Sequence, residues 1–275
     1  MSLQPRILPL VLLMVGLAAS WSPARAQTKP EEYKPQVGMA GKDAVWVPTS
    51  PELVEKMLDM AKVTPQDFVM DLGSGDGRNV IAAAKRGARG LGVEYNQDLV
   101  ELSKRIAAKE GVGDKANFVQ GDMYAADISK ATVLALFLLP QNLDKLVPKF
   151  LALKPGSRIV ANTFGITGWT PDESQMIEGD CMSWCTSLLW IVPAKVEGTW
   201  RMPKGELTLK QEFQMLTGEL VAGGRATPIQ NGRMRGDQIT FSVNDTQYTG
   251  RVTGNTVDGT VTTGQATAEW KATRK

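Results

Sequence analysis

Between Asp67 and Arg78 the chain reads Asp-Phe-Val-Met-Asp-Leu-Gly-Ser-Gly-Asp-Gly-Arg, and few folds accommodate that order. A short apolar run, Phe68 to Leu72, carries an acid, Asp71, near its end and then meets Gly73, Gly75 and Gly77, spaced two apart. Asn79 to Lys85 reads as helix, so the stretch predicts strand, glycine turn, helix. A chain leaving a buried parallel strand for a helix within a few residues needs backbone angles closed to residues with a Cβ. The same turn lets a ligand approach backbone N–H groups at a helix N-terminus. Spacing alone does not select the ligand. The dinucleotide fingerprint G-x-G-x-x-G places its third glycine one residue later, where this chain has Arg78. Asp71 at the strand end suits a cofactor with a cationic ammonium group better than a pyrophosphate. Both details favour S-adenosylmethionine.

Two further strands are predicted to end in acids, Gly90 to Glu94 and Asn117 to Asp122. Strands from Val133 to Leu139 and Arg158 to Phe164 follow, with helices over 51–62, Gln97 to Lys109 and Leu143 to Leu153 between or before them. Ser50 and Pro51 supply the N-cap and first turn of the earliest helix. Strands alternating with helices require right-handed crossovers and a Rossmann-like, doubly wound parallel sheet, an α/β fold. In such a sheet the carboxyl ends share one rim. Asp71, Glu94 and Asp122 therefore fall together: Asp71 for a cation, Glu94 for a ribose diol, Asp122 for an exocyclic amine with Met123 against the ring. The expected cofactor site comprises Asp71, Gly73, Ser74, Gly75, Gly77, Glu94, Tyr95, Asp122 and Met123.

Past Gly165 the pattern changes to short alternating runs separated by Gly223-Gly224, Asn231-Gly232 and Gly254-Asn255. These predict an antiparallel meander or small barrel. The expected organisation is a signal peptide over 1–26, a linker over 27–45, the cofactor-binding domain over 46–195 and an antiparallel β module over 196–275. Arg6, the apolar run Ile7 to Ala19 and Ser22-Pro23-Ala24-Arg25-Ala26 have the form of an export signal cut after Ala26. The expected location is the periplasm or exterior, with an uncleaved inner-membrane anchor as the alternative; the run is short for a membrane span, and none is expected after cleavage.

Removing Arg6 and Arg25 from the 31 basic residues leaves 29, equal to the 29 acidic ones. No clustered basic surface is written in the sequence, so a nucleic-acid partner is not expected. The chain has no histidine, which excludes Ser-His-Asp chemistry and His-ligated zinc, and no metal site is expected. Of its two cysteines, Cys181 and Cys185, a disulfide at i, i+4 meets marginal geometry, and two buried free thiols are the favoured reading.

Residues 46–172 resemble the S-adenosylmethionine-dependent lysine methyltransferases that act on the mitochondrial ATP synthase c subunit and adenine nucleotide translocase, with their prokaryotic relatives. The resemblance rests on Val47-Pro48-Thr49-Ser50-Pro51, Asp71-Leu72-Gly73-Ser74-Gly75-Asp76-Gly77-Arg78, Gly92-Val93-Glu94-Tyr95-Asn96, Leu138-Leu139-Pro140 and Trp169-Thr170-Pro171-Asp172. It implies a protein lysine N-methyltransferase, with the segments around Thr49 and Pro140 close to the methyl group. Thr49, Pro140 and Trp169 are the expected substrate-side residues. No residue is identified as a catalytic base, although Asn162, Tyr95 and Trp169 are candidates for shaping the acceptor channel. A small-molecule methyltransferase on the same fold, or an exported protein that binds the cofactor without catalysis, are the alternatives.

Overall fold

The structure is a computed structural model of the full chain. It describes residues 1–2, 33–178, 181 and 183–275, so the expected signal peptide lies outside the described residues.

Helix α1 (Pro51–Met60) starts where Ser50 Oγ accepts from Leu53 N–H at 3.2 Å and buries Leu53, Val54, Met57 and Leu58. Then come β1 (Phe68–Leu72), α2 (Arg78–Lys85), β2 (Arg89–Glu94), α3 (Gln97–Lys109), β3 (Ala116–Gln120), β4 (Val133–Leu136), α4 (Pro140–Phe150), β5 (Arg158–Asn162), β6 (Glu173–Met176) and β7 (Thr186–Ile191). The sheet order is β3-β2-β1-β4-β5-β7-β6. β1 to β5 run parallel, and β7 returns antiparallel to β5 and β6. Along each central strand, neighbours point to opposite faces. Val69, Val133 and Val160 therefore pack under α1, while Met70, Leu134 and Ile159 pack with Leu143, Leu146 and Phe150 of α4. Both faces are covered, as an apolar parallel sheet requires. β1 and β4 are adjacent while their connections run to opposite sides of the sheet, which opens a crevice at their carboxyl ends.

Strand β6 was not expected from the sequence. Its residues, Glu173, Ser174, Gln175 and Met176, lie at a sheet edge with most of their surface in solvent, so they carry no apolar alternation.

The chain then forms a second sheet from β8 (Gly198–Met202), β9 (Gly205–Glu212), β10 (Met215–Ala222), β11 (Arg225–Pro228), β12 (Gln230–Arg235), β13 (Gln238–Val243), β14 (Thr246–Thr253), β15 (Thr256–Thr263) and β16 (Ala266–Arg274). Pairing of β9 with both β8 and β10 closes it into a barrel, with β11 outside the ring on β10. Of the two arrangements open to the sequence, meander or barrel, closure selects the barrel, which pairs the strands that an open meander would leave at its edges. The barrel has its own core, in which Trp270 meets Phe241 and Tyr248 edge-on at 5.8 and 5.5 Å.

The barrel is docked on the first sheet through specific contacts. Arg233 pairs with Asp172 at 2.6 Å, and Asp172 Oδ2 also accepts from Ile191 N–H at 2.8 Å. Arg235 pairs with Glu173, Gln214 Nε2 donates to the Thr170 carbonyl at 2.6 Å, and Phe213 stacks on Trp169 at 5.0 Å. The Asp172 side chain is fully buried, so removing its cation strands a charge in the interface. Because Arg233 is itself partly exposed, Arg233→Ala is expected to cost about 1–3 kcal/mol, whereas Arg251→Ala at the exposed Asp237 pair is expected to cost under about 0.5 kcal/mol. Urea midpoints of the two variants measure the difference; equal midpoints would mean that the Asp172 pair does not hold the barrel.

Cys181 and Cys185 are joined, Cα to Cα 5.9 Å, which corrects the free-thiol reading. The i, i+4 spacing is marginal for a disulfide on a helical turn, but neither cysteine lies in a helix. No helix among the described residues is long and apolar enough to cross a membrane.

Candidate functional site

The crevice at the carboxyl ends of β1, β2 and β4 is lined by Asp71, Gly73, Ser74, Gly75, Glu94, Tyr95, Asp122, Met123 and Leu138, and by residues 39–49 from the other side. Most of the expected cofactor residues are thus brought together.

The glycine turn is held from β2. Gly73 and Ser74 N–H both donate to the Val93 carbonyl, at 2.8 and 3.1 Å. Glu94 Oε2 accepts from Gly75 N–H and Oε1 from Asn96 N–H, each at 2.9 Å. Glu94 therefore ties the turn to the start of α3, and each carboxylate oxygen keeps a lone pair for a hydroxyl partner. Gly73 and Gly75 have φ of +74° and +55°. A Cβ on Gly75 would come within 2.6 Å of Trp46 Nε1, so the glycine admits the indole that covers the turn.

Gly77 does not belong to the cavity. Its φ is +81°, and a Cβ there would lie 2.6 Å from the Phe118 ring and 2.9 Å from Ser103 Cβ. It is a packing glycine that lets α2 begin against β3 and α3, which corrects its expected cofactor role.

Asp71 is buried. Its Oδ2 accepts from Asn79 Nδ2 at 3.0 Å, and its Oδ1 has no hydrogen-bond partner among the described residues. Burial raises its pKa to about 8; the Asn79 hydrogen bond opposes the rise, and the negative charges of Glu94 and Asp76 add to it. A buried carboxyl with an unpaired oxygen facing a cleft is costly unless a donor or cation meets it. Ser74 Oγ, also in the cleft wall, is likewise unpaired.

Asp122 stands beyond β3, where Oδ1 accepts from Tyr124 N–H at 2.8 Å. Its Oδ2 meets Lys42 Nζ at 2.6 Å, and the Lys42 hydrogen bond holds its pKa below the usual carboxylate range. Lys42 Nζ also sits 5.2 Å from the centre of the Tyr95 ring. The sequence reading gave residues up to 45 to a linker; from Met39 onward these residues line the cleft. The strap they form is pinned by an antiparallel bridge between Ala40 and Val45, by Lys42 on Asp122, and by Arg78, which donates to the Thr49 carbonyl while its fork holds Asp76. Lys42, Trp46, Asn79 and Arg78 were not foreseen as site residues. Arg78 and Asn79 had a signal, lying in the first turn of the helix that the glycines open.

Of the expected substrate-side residues, Thr49 lines the cleft, and its Oγ1 accepts from Asn162 Nδ2 at 3.2 Å. Pro140 and Trp169 do not reach it. Pro140 is the first residue of α4, and Trp169 is buried in the core, stacked on Phe213, with its carbonyl accepting from Trp190 Nε1 at 2.7 Å.

These residues fit S-adenosylmethionine. The unpaired Asp71 oxygen suits its ammonium end, the Gly73–Gly75 cradle allows close backbone approach, Glu94 has capacity for a diol, and Val93, Met123 and Leu138 give apolar walls for a ring.

Comparison with known proteins adds three findings. Residues 71–173 match the ANTKMT methyltransferase domain family. A protein-lysine N-methyltransferase of Saccharolobus islandicus is 41% identical over 141 residues, 50% of this chain and 88% of that protein; the lysine N-methyltransferase of Rattus norvegicus that is named for the ATP synthase c subunit is 36% identical over 130 residues, 47% of this chain and 60% of that one. A crystal structure of an RNA methyltransferase from Salinibacter ruber with S-adenosyl-L-homocysteine superposes with a TM-score of 0.51 and 43% identity, covering 55% of this chain and 96% of that one.

Proposed function

Because the chain belongs to the ANTKMT methyltransferase family and is an S-adenosylmethionine-dependent methyltransferase, we propose that it methylates the ε-amine of lysine in a protein acceptor. The buried, unpaired Asp71 Oδ1 beside the glycine turn carries the reading for the cofactor. The lysine acceptor is supported by the identity to the Saccharolobus protein-lysine enzyme over nearly its whole length.

When bound, the cofactor supplies an electrophilic methyl group. The protein's task is alignment and exclusion of water. Asp71 and the Gly73–Gly75 backbone would hold the methionine end, Glu94 the ribose, and Met123 with Leu138 the adenine. Residues 39–49 cover the turn through Trp46, which limits water at the reacting end. An attacking lysine must first lose a proton. A desolvated channel lowers its pKa without a dedicated base.

The Salinibacter protein is described as an RNA methyltransferase, but this chain's 31 basic and 29 acidic residues give it little net charge for holding a polyanion. Protein is therefore the acceptor of choice. The Cys181–Cys185 disulfide supports an exported protein, since disulfides persist in oxidising compartments, and we place the chain there together with the signal-like residues 1–26. N-terminal sequencing from cell fractions checks this: a periplasmic chain starting at Gln27 is expected, and an intact terminus in the membrane fraction would refute it.

The activity is tested by incubating the purified protein with methyl-labelled S-adenosylmethionine and cell extract. Label is expected in the protein fraction. Label confined to RNA or to small molecules would replace the lysine reading with the corresponding acceptor.

A further inference from the structure

Beside the cofactor cleft, three aromatic rings from separate parts of the chain converge. Phe137, just past β4, lines the cleft. Its ring stacks on Phe164, two residues past β5, with centroids 5.9 Å apart, and meets Trp184, just before β7, edge-on at 5.8 Å. Trp184 is 43% exposed, so the group opens to solvent at one end and onto the cleft at the other. Asn162, the last residue of β5, is 1% exposed; its Nδ2 donates to Thr49 Oγ1, and its Oδ1 has no partner among the described residues.

The backbone holds these side chains at a cost. Thr163, between Asn162 and Phe164, has φ of +57°, a conformation that a β-branched residue rarely adopts, and Trp184 has φ of +56°. Both are over-determined by their neighbours. Thr163 N–H donates to the Thr186 carbonyl at 2.7 Å, and the Cys181–Cys185 disulfide closes the short segment that carries Trp184. Strain of this kind, fixed by surrounding structure, clusters at functional sites.

The chemistry of the group matches one occupant. Aromatic faces attract a cation, and the apolar stem of lysine packs along them while its charged end goes on. A buried amide oxygen beyond the rings accepts from an N–H. We propose that Phe137, Phe164 and Trp184 form the entrance by which the acceptor's lysine side chain reaches the cofactor cleft, with the disulfide holding Trp184 in place and Asn162 Oδ1 receiving the ε-amine. The inference rests on the lysine reading above and assigns it a place on the surface.

The test is a titration of the full-length protein, saturated with S-adenosylhomocysteine, with Nε-monomethyllysine capped at both ends, and with capped norleucine as the uncharged control. The methyllysine probe is expected to bind and norleucine to bind more weakly. Trp184→Ala should weaken the probe about tenfold and Trp184→Phe only about threefold. Cys181→Ser combined with Cys185→Ser should weaken it several-fold, on the order of the lost ring contact. S-adenosylhomocysteine affinity should stay within about twofold in every variant, as expected of a ring outside the cofactor cleft. Equal probe affinity in wild type and Trp184→Ala, or no preference for methyllysine over norleucine, overturns the entrance. These outcomes are independent of methyl transfer: label found only in RNA would remove the proposed activity, while the probe series would still report on Trp184.

Discussion

Asp71→Ala is expected to weaken S-adenosylmethionine binding by about 1.5–3 kcal/mol, the range for a hydrogen bond to a charged group. The pH dependence makes this more specific. Burial keeps Asp71 protonated up to about 8 in the folded protein, against an ordinary value of 3.8. Between those values the folded chain holds a proton that the unfolded chain has released. Stability from this group is therefore complete below about 4 and is lost as pH rises towards 8. A bound ammonium reverses the preference, favouring the carboxylate, so binding expels the proton. Affinity should rise from pH 6 to about 7.5, above which the cofactor's own α-amino group begins to lose its charge. Asp71→Asn should bind weakly with no such slope. Calorimetry in two buffers of different ionisation enthalpy counts the protons released; no release by wild type at about pH 6.5, well below the α-amino range, would mean that Asp71 is not the ammonium partner.

Gly77→Ala should be the most damaging single methyl in the turn. A left-handed alanine costs about 1–2 kcal/mol, and overpacking against Phe118 and Ser103 adds about 1–3 kcal/mol. The total is about 2–5 kcal/mol, a large part of the stability of an ordinary domain. Gly73→Ala shares the conformational cost, but its new methyl meets only Leu138 Cδ2 at 3.4 Å, an ordinary contact. It should fold and bind cofactor poorly, whereas Gly77→Ala should fold poorly. Thermal melts with and without S-adenosylhomocysteine separate the two; similar melting of both unliganded variants would contradict the packing role given to Gly77.

That contrast marks what the sequence could convey. The parallel sheet was legible because its strands are apolar runs bounded by glycines and acids, and α3 because Leu99 and Leu102 repeat on one buried face behind the Asn96 cap. Asp71, Glu94 and Asp122 could be placed on one rim because strand ends share a rim. Gly77 could not be told from its neighbours, because its reason is a ring about forty residues away in the chain. The strap could not be read either: Lys42 finds Asp122 and Trp46 covers Gly75 through long-range contacts that leave no periodic trace. Trp169 read as a site residue because it stands in one of the words that carry the family resemblance, yet its ring is core, stacked on Phe213 from the barrel's β9–β10 hairpin. For the barrel, glycine and asparagine turns announced the strands, but closure depends on β9 meeting β10 and β16 meeting β8, the second a pairing across most of the module.

The central claim is that the methyl group ends on lysine nitrogen. Acceptor protein labelled with methyl-tritiated S-adenosylmethionine, hydrolysed to amino acids and separated against standards, tests it most directly. The account predicts that label elutes with Nε-methylated lysines and is lost when Asp71→Ala replaces the wild-type enzyme. Label eluting with methylated arginine, or released as methanol from carboxyl esters, would contradict it.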